Sequence, residues 1–211
     1  MHIPEGALSG SIEGIVVLSA AAAATAAGTA LGLRKMDYER VPQVAMLSSV
    51  FFVASLVHVP LGPTSVHLVL NGLVGLLLGW AAFPALLVAL FLQAILFGHG
   101  GLTVLGINTL TMALPAVACY YLFHRPVQWW SDTLAFWAAF AAGSLAVLLA
   151  AGLTASALWV TGKEFELFAG AVLAFHVAVA AIEGLVTGSV VLFLRKVRPE
   201  MLEAPLFAPG R

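Results

Sequence analysis

Apolar runs broken by charge, proline or glycine follow one another along the whole chain, and their lengths predict membrane-spanning helices. A helix needs about 20 apolar residues to cross a bilayer. Seven runs are read: about Ser11 to Leu33, Val41 to His58, Ser65 to Trp80, Pro84 to Phe97, Leu105 to Phe123, Leu134 to Val160 and Phe165 to Leu194. The first is Ala-rich and ends at Arg34-Lys35-Met36-Asp37-Tyr38-Glu39-Arg40; the breaker Pro60-Leu61-Gly62-Pro63 precedes the third. Because the fourth run is short, six spans with one re-entrant segment is the main alternative. The expected fold is an all-α integral membrane protein, a bundle of seven transmembrane helices in a single membrane domain covering 1–211.

Composition agrees with that pattern. The chain is 62% hydrophobic and 9% charged, against about 25% charged residues in a soluble domain. A net charge of −1 argues against a nucleic-acid partner, which calls for a basic face. The single cysteine, Cys119, sits in an apolar run, so one chain can form neither a disulfide nor a thiolate metal cluster.

Basic residues set the expected orientation. With seven spans and the amino terminus outside, Arg34, Lys35, Arg40, Arg125, Arg195, Lys196, Arg198 and Arg211 all fall on the cytoplasmic side, with the carboxy terminus, and only Lys163 lies outside. The expected location is a cell membrane, crossed several times.

Candidate chemistry begins at the first residues, Met1-His2-Ile3-Pro4-Glu5-Gly6. The Met1 α-amine, the His2 amide nitrogen and the His2 imidazole can close fused five- and six-membered chelate rings around one ion. Three nearly coplanar nitrogens suit a d⁸ or d⁹ ion with a square-planar preference and leave one in-plane position for a ligand from elsewhere in the chain. The first basic residue is Arg34, so no basic, apolar and small-residue secretory leader is expected here. The alternative is an ordinary terminal histidine; context decides, and segment 1–10 is read as a metal-binding segment.

In the expected topology His2, His58, His67 and His99 converge on the outer side. His67 is the preferred fourth ligand, because Gly62-Pro63-Thr64-Ser65 reads as a turn and helix start that places its ring in the first turn of the third helix. His99, in Gly98-His99-Gly100-Gly101, is either an outer partner of the metal ligands, a loop gate or a plain loop histidine; His58 reads as a helix end and His124 as an interfacial residue. Asn71, Gln93 and Asn108 are amides at membrane depth and need partners. They serve either to orient metal-binding histidines or as interhelical hydrogen bonds. His176 and Glu183 share a face of the last helix. Glu183 is a functional candidate as an intramembrane ionisable group; it is placed nearer the cytoplasmic half, and contact with a partner subunit is the alternative. Glu5 and Glu13 either attract cations or are solvated carboxylates. Small residues at Ala20, Ala23, Ala24, Ala27, Gly184 and Gly188 allow close helix approach.

The opening six residues, the segment Gly62-Pro63-Thr64-Ser65-Val66-His67-Leu68-Val69-Leu70-Asn71-Gly72 and the segment Gly98-His99-Gly100-Gly101-Leu102-Thr103-Val104-Leu105-Gly106-Ile107-Asn108 together resemble the CbiM/NikM family, substrate-capture subunits of energy-coupling factor transporters for nickel and cobalt. The resemblance covers most of the chain. It implies a seven-helix bundle with the amino terminus outside and Ni²⁺ or Co²⁺ as the transported substrate. The ion would be bound in a square plane by the Met1 amine, the His2 amide and imidazole nitrogens, and His67. As partners it implies a transmembrane coupling subunit, two cytoplasmic ATPases and often a small accessory membrane protein. Pro4-Glu5-Gly6 is intermediate between the Met-Glu-Gly of cobalt-type members and the Pro-Asp-Gly of nickel-type members, and leans to nickel.

The expected function is therefore metal capture without catalysis and without a catalytic cofactor. The chain has no Gly-x-x-x-x-Gly-Lys-Ser/Thr phosphate loop, so ATP would be hydrolysed by another protein. Nitrogen donors in a plane disfavour Mg²⁺, Ca²⁺ and Zn²⁺, and binding would displace protons, so affinity should fall as the pH drops. A cobalt subunit supplying cobalamin synthesis and a stand-alone carrier remain as alternatives. A membrane metalloprotease would carry His-Glu-x-x-His, which does not occur.

Overall fold

The computed structural model describes residues 2–56, 58–61, 64–161 and 166–203. Met1, Gly62, Pro63 and Lys163, all named above, lie outside the described residues, as do the His58 side chain and Arg211. Among the described residues the order is α1 Ile12–Lys35, α2 Val41–Ala54, β1 His58–Leu61, β2 Thr64–His67, α3 Asn71–Leu78, α4 Ala82–Phe97, α5 Leu105–Trp129, α6 Asp132–Thr161 and α7 Glu166–Val197.

Among the described residues, five helical stretches are long and apolar enough to cross a membrane: Ile12–Lys35, Asn71–Phe97, Leu105–Trp129, Asp132–Val160 and Leu173–Val197. The third and fourth apolar runs therefore share one stretch, in which α3 and α4 are joined through a single 3₁₀ turn at Gly79–Ala81. At 14 residues α2 is about 21 Å long. Exposed side chains on the helices include Ile15, Val16, Val88, Leu92, Ile95, Trp137, Leu149, Leu185 and Phe193. Such an apolar exterior is a liability in water and suits a hydrocarbon solvent, in which the helices satisfy their own backbone groups.

α3 is the most enclosed helix; Asn71, Gly72, Leu73, Val74, Gly75, Leu76 and Leu77 are all buried. It reaches that depth because two of its contact positions carry no side chain. A Cβ on Gly75 would stand 2.1 Å from the Ala116 carbonyl oxygen of α5, and one on Gly72 would stand 2.6 Å from the Gly143 Cα of α6. Packing at this density depends on small residues at the crossing.

The third helix does not begin at Ser65. β1 and β2 pair antiparallel, with His58 opposite His67 and Leu61 opposite Thr64, and α3 starts only at Asn71. The β-branched Thr64 and Val66 favour an extended chain. The amides that would continue a helix upstream are also taken: the Glu183 carboxylate of α7 accepts from both the Val69 N–H and the Leu70 N–H. Leu70 itself is left-handed, with φ 52°. Of the two readings of Glu183, an intramembrane functional group or a contact with a partner subunit, its full burial inside the bundle goes against the second. α5 likewise outruns its apolar segment, continuing to Trp129, with His124 buried and stacked on Tyr120 at 4.4 Å.

Candidate metal centre

The amino-terminal strap is drawn into one end of the bundle. Ile3 is fully buried, and its backbone is gripped at two points by Asn108 of α5. The Ile3 N–H donates to Asn108 Oδ1 at 2.8 Å and Asn108 Nδ2 donates to the Ile3 carbonyl at 3.0 Å. The side chain therefore reads the strap as a neighbouring β-strand would. Two residues on, the Glu5 N–H donates to the Gly100 carbonyl at 2.7 Å, and the Glu5 carboxylate accepts from the Leu102 and Thr103 N–H groups. Gly101, at φ +138°, makes room for it: a Cβ there would fall 2.0 Å from Glu5 Oε2. Glu5 thus fixes the strap to the loop before α5.

This clamp delivers His2 to a buried position, 6% exposed. Its Nε2 lies 2.9 Å from Gln93 Oε1 on α4. The hydrogen-bond chain behind Gln93 settles which nitrogen carries the proton. Ser55 Oγ donates to the Phe52 carbonyl at 2.9 Å, so it meets Gln93 as an acceptor and takes the Gln93 Nε2–H. Gln93 Oε1 then faces His2, whose Nε2 must be the donor, and the lone pair of the ring is on Nδ1. That is the nitrogen a six-membered chelate with the His2 amide requires.

His67, at the end of β2, is 3% exposed. Its Nδ1 lies 2.8 Å from the Leu68 carbonyl oxygen; a carbonyl only accepts, so Nδ1 carries the proton and Nε2 the lone pair. His67 Nε2 is buried with no hydrogen-bond partner. Burial holds this imidazole well below its ordinary pKa, with the nearby His2 and His176 acting in the same direction, so the ring is neutral at pH 7. A buried polar atom without a partner costs about 1–3 kcal/mol, and this nitrogen is open to a ligand.

The two rings stack with centroids 4.8 Å apart at 25°. Two imidazoles bound at right angles to one ion, each with a metal–nitrogen distance of about 2 Å, have centroids about 4–5 Å apart. The observed spacing falls in that range. His99 follows at 6.0 Å from His2, tilted, and Phe97 stands 5.9 Å beyond it, so the half-buried His99 lies at the lip of the site. Asn71 is not at the rings: its Nδ2 donates to the Met112 and Ala146 carbonyls, tying α3 to α5 and α6. His176 is fully buried on α7.

Of the residues singled out from sequence, the fold brings His2, His67, His99, Gln93 and Asn108 to one end of the bundle and leaves Asn71 as an interhelical strut. Ser55 and Ile3 were not singled out. A serine near a helix end and an isoleucine near a terminus have no local signature. Replacing Gln93 with alanine leaves the His2 proton without its acceptor. Metal affinity is expected to drop about 10–100-fold, as for other outer partners of metal-bound histidine, and the metal-free protein to lose about 1–3 kcal/mol from the buried His2 N–H left without that acceptor; calorimetry and thermal unfolding check both.

Residues 2–201 match the family described as the cobalt uptake substrate-specific transmembrane region, CbiM. The chain belongs to that family. A protein of Haemophilus influenzae named for metal transport is 40% identical over 206 residues, covering 96% of this chain and 97% of its own. The fused nickel transport protein NikMN of Rhodobacter capsulatus is 35% identical over all of this chain, which spans 66% of that longer protein. The cobalt transport protein CbiM of Sorangium cellulosum is 33% identical, over 77% of this chain and 76% of its own. The crystal structure of a truncated transition metal transporter superposes with a TM-score of 0.78 at 28% identity, covering 93% of this chain and 99% of that one. The chain is accordingly a multi-pass protein of a prokaryotic cell membrane and a transport component of the CbiM/NikM type; its relatives are transport proteins rather than enzymes.

Proposed function

We propose that this chain, folded as a single membrane domain, is the substrate-capture subunit of an energy-coupling factor transporter that takes up Ni²⁺ in preference to Co²⁺. The ion is bound in a square plane of four nitrogens: the Met1 amine, the His2 amide, His2 Nδ1 and His67 Nε2. The observation that supports this most is the pair of lone pairs on His2 Nδ1 and His67 Nε2, each assigned by a hydrogen bond on the opposite ring nitrogen and brought together by the stacked rings. Ile3 and Glu5 hold the strap in register, which carries the His2 backbone just ahead of Ile3 into the same place. An all-nitrogen plane suits Ni²⁺ and excludes ions that require oxygen donors or a tetrahedron.

The site faces outward, with seven helical segments below it and the basic residues Arg34, Lys35, Arg40 and Arg195 toward the cytoplasm. A coupling membrane subunit and two ATPases drive release, aided by a small accessory membrane subunit. The test is uptake of radioactive nickel into vesicles. This chain alone should bind nickel and accumulate none, and addition of the coupling subunit and ATPases with ATP should give accumulation. Accumulation by the chain alone without ATP would make it a carrier and overturn the assignment.

A further inference from the structure

We propose that Glu183 of α7 is a positioning residue for His67, acting through the peptide group between Leu68 and Val69 to hold the imidazole with its Nε2 lone pair toward the ion. The inference rests on the reading of His67 as a metal ligand. The three groups form one line. Glu183 Oε1 accepts from the Val69 N–H. That N–H belongs to the same peptide unit as the Leu68 carbonyl, which accepts from His67 Nδ1 at 2.8 Å. In a trans peptide the N–H and C=O point in opposite directions, so a carboxylate on one end and an imidazole N–H on the other are joined through a single planar, polarisable unit.

Hydrogen bonds in such a chain strengthen one another. An acceptor at the Val69 N–H polarises the peptide, makes the Leu68 oxygen a better acceptor, draws on the Nδ1 proton and enriches the Nε2 lone pair. Metal-bound histidines commonly obtain this from a carboxylate in direct contact; here a peptide group stands between. Both Glu183 oxygens also accept from the Leu70 N–H, each at 2.9 Å. They thereby hold the left-handed Leu70, a conformation that costs a side-chain-bearing residue energy and persists only where neighbours enforce it. The residue is fully buried, 114 positions along the chain from Val69. It therefore ties the setting of His67 to α7 as well as to the hairpin that carries it.

A plain helix cap at α3 would hold the backbone without tuning the ring, and a double-mutant cycle separates the two. Glu183→Gln keeps an acceptor and the shape while removing the charge. In a background with native His67 it is expected to lower Ni²⁺ affinity about 10–100-fold and to shift the nickel ligand-field absorption band to longer wavelength. In a His67→Ala background, where the terminal nitrogens still bind nickel, it is expected to cost nothing further. Equal losses in both backgrounds, or wild-type affinity with an unshifted band, would overturn the proposal. If E183Q does not purify as a folded protein, Glu183→Asp serves in the same cycle: the charge stays and the reach shortens, with loss expected only while His67 is present and equal loss without it again overturning the idea. His67→Ala binding nickel as tightly as the wild type would sink the ligand reading itself; a weakened H67A beside an unaffected E183Q would sink the relay alone.

Discussion

Acetylation of the Met1 amine is expected to abolish tight nickel binding while leaving the helical bundle folded. The acetyl group converts the terminal amine into an amide nitrogen and removes the anchoring donor of the five-membered ring. The strap cannot slide to bring another donor into that place. Ile3 is held at both its N–H and its carbonyl by Asn108, and Glu5 is held by Gly100, Leu102 and Thr103, so a shift would break every one of these bonds and pull Ile3 from a fully buried place. A loss of at least about a thousandfold, roughly 4 kcal/mol, is expected in calorimetric titration of purified protein with and without the acetyl group. Unchanged affinity would remove the terminal chelate from the account and leave an internal site among His58, His67 and His99.

Replacing His67 with alanine is expected to separate binding from stability. The terminal nitrogens remain, so binding should weaken by about a hundredfold or more, about 2.7 kcal/mol, rather than vanish, with the fourth in-plane position taken by water. Metal-free stability should move little. Removing the ring forfeits packing but also removes a buried nitrogen that has no partner, an unpaired group that costs about 1–3 kcal/mol. The rise in melting temperature on adding nickel, which follows from preferential binding to the folded state, should shrink sharply. Thermal unfolding with and without nickel reads both quantities. A variant destabilised equally with and without metal would make His67 a packing residue.

Much of the architecture was legible because it is written locally. The apolar runs beginning at Ser11, Leu105, Leu134 and Phe165 start within about two residues of α1, α5, α6 and α7. The stretch around His67 was not legible in the same way. Thr64 to Leu70 reads as the start of a helix, yet the Val69 and Leu70 amides are claimed by Glu183, whose position in the chain gives no hint of that contact. The site divides along the same line. His2 and His67 stand out as residue types suited to a metal, and Gln93 and Asn108 as amides in an apolar setting. Which amide serves which backbone or ring is decided across separations of 91 residues for His2 and Gln93 and 105 for Ile3 and Asn108. Glu5 shows the limit of reading charge alone: a carboxylate near a terminus suggests attraction of cations, whereas here it is a backbone clamp whose space is made by the missing Cβ of Gly101.

X-ray absorption at the nickel edge on the loaded, detergent-purified protein tests the central claim most directly. The account predicts the pre-edge feature of a square-planar ion and a first shell of four nitrogens, with imidazole scattering from two rings. A six-coordinate spectrum with oxygen neighbours and no such pre-edge feature would contradict it.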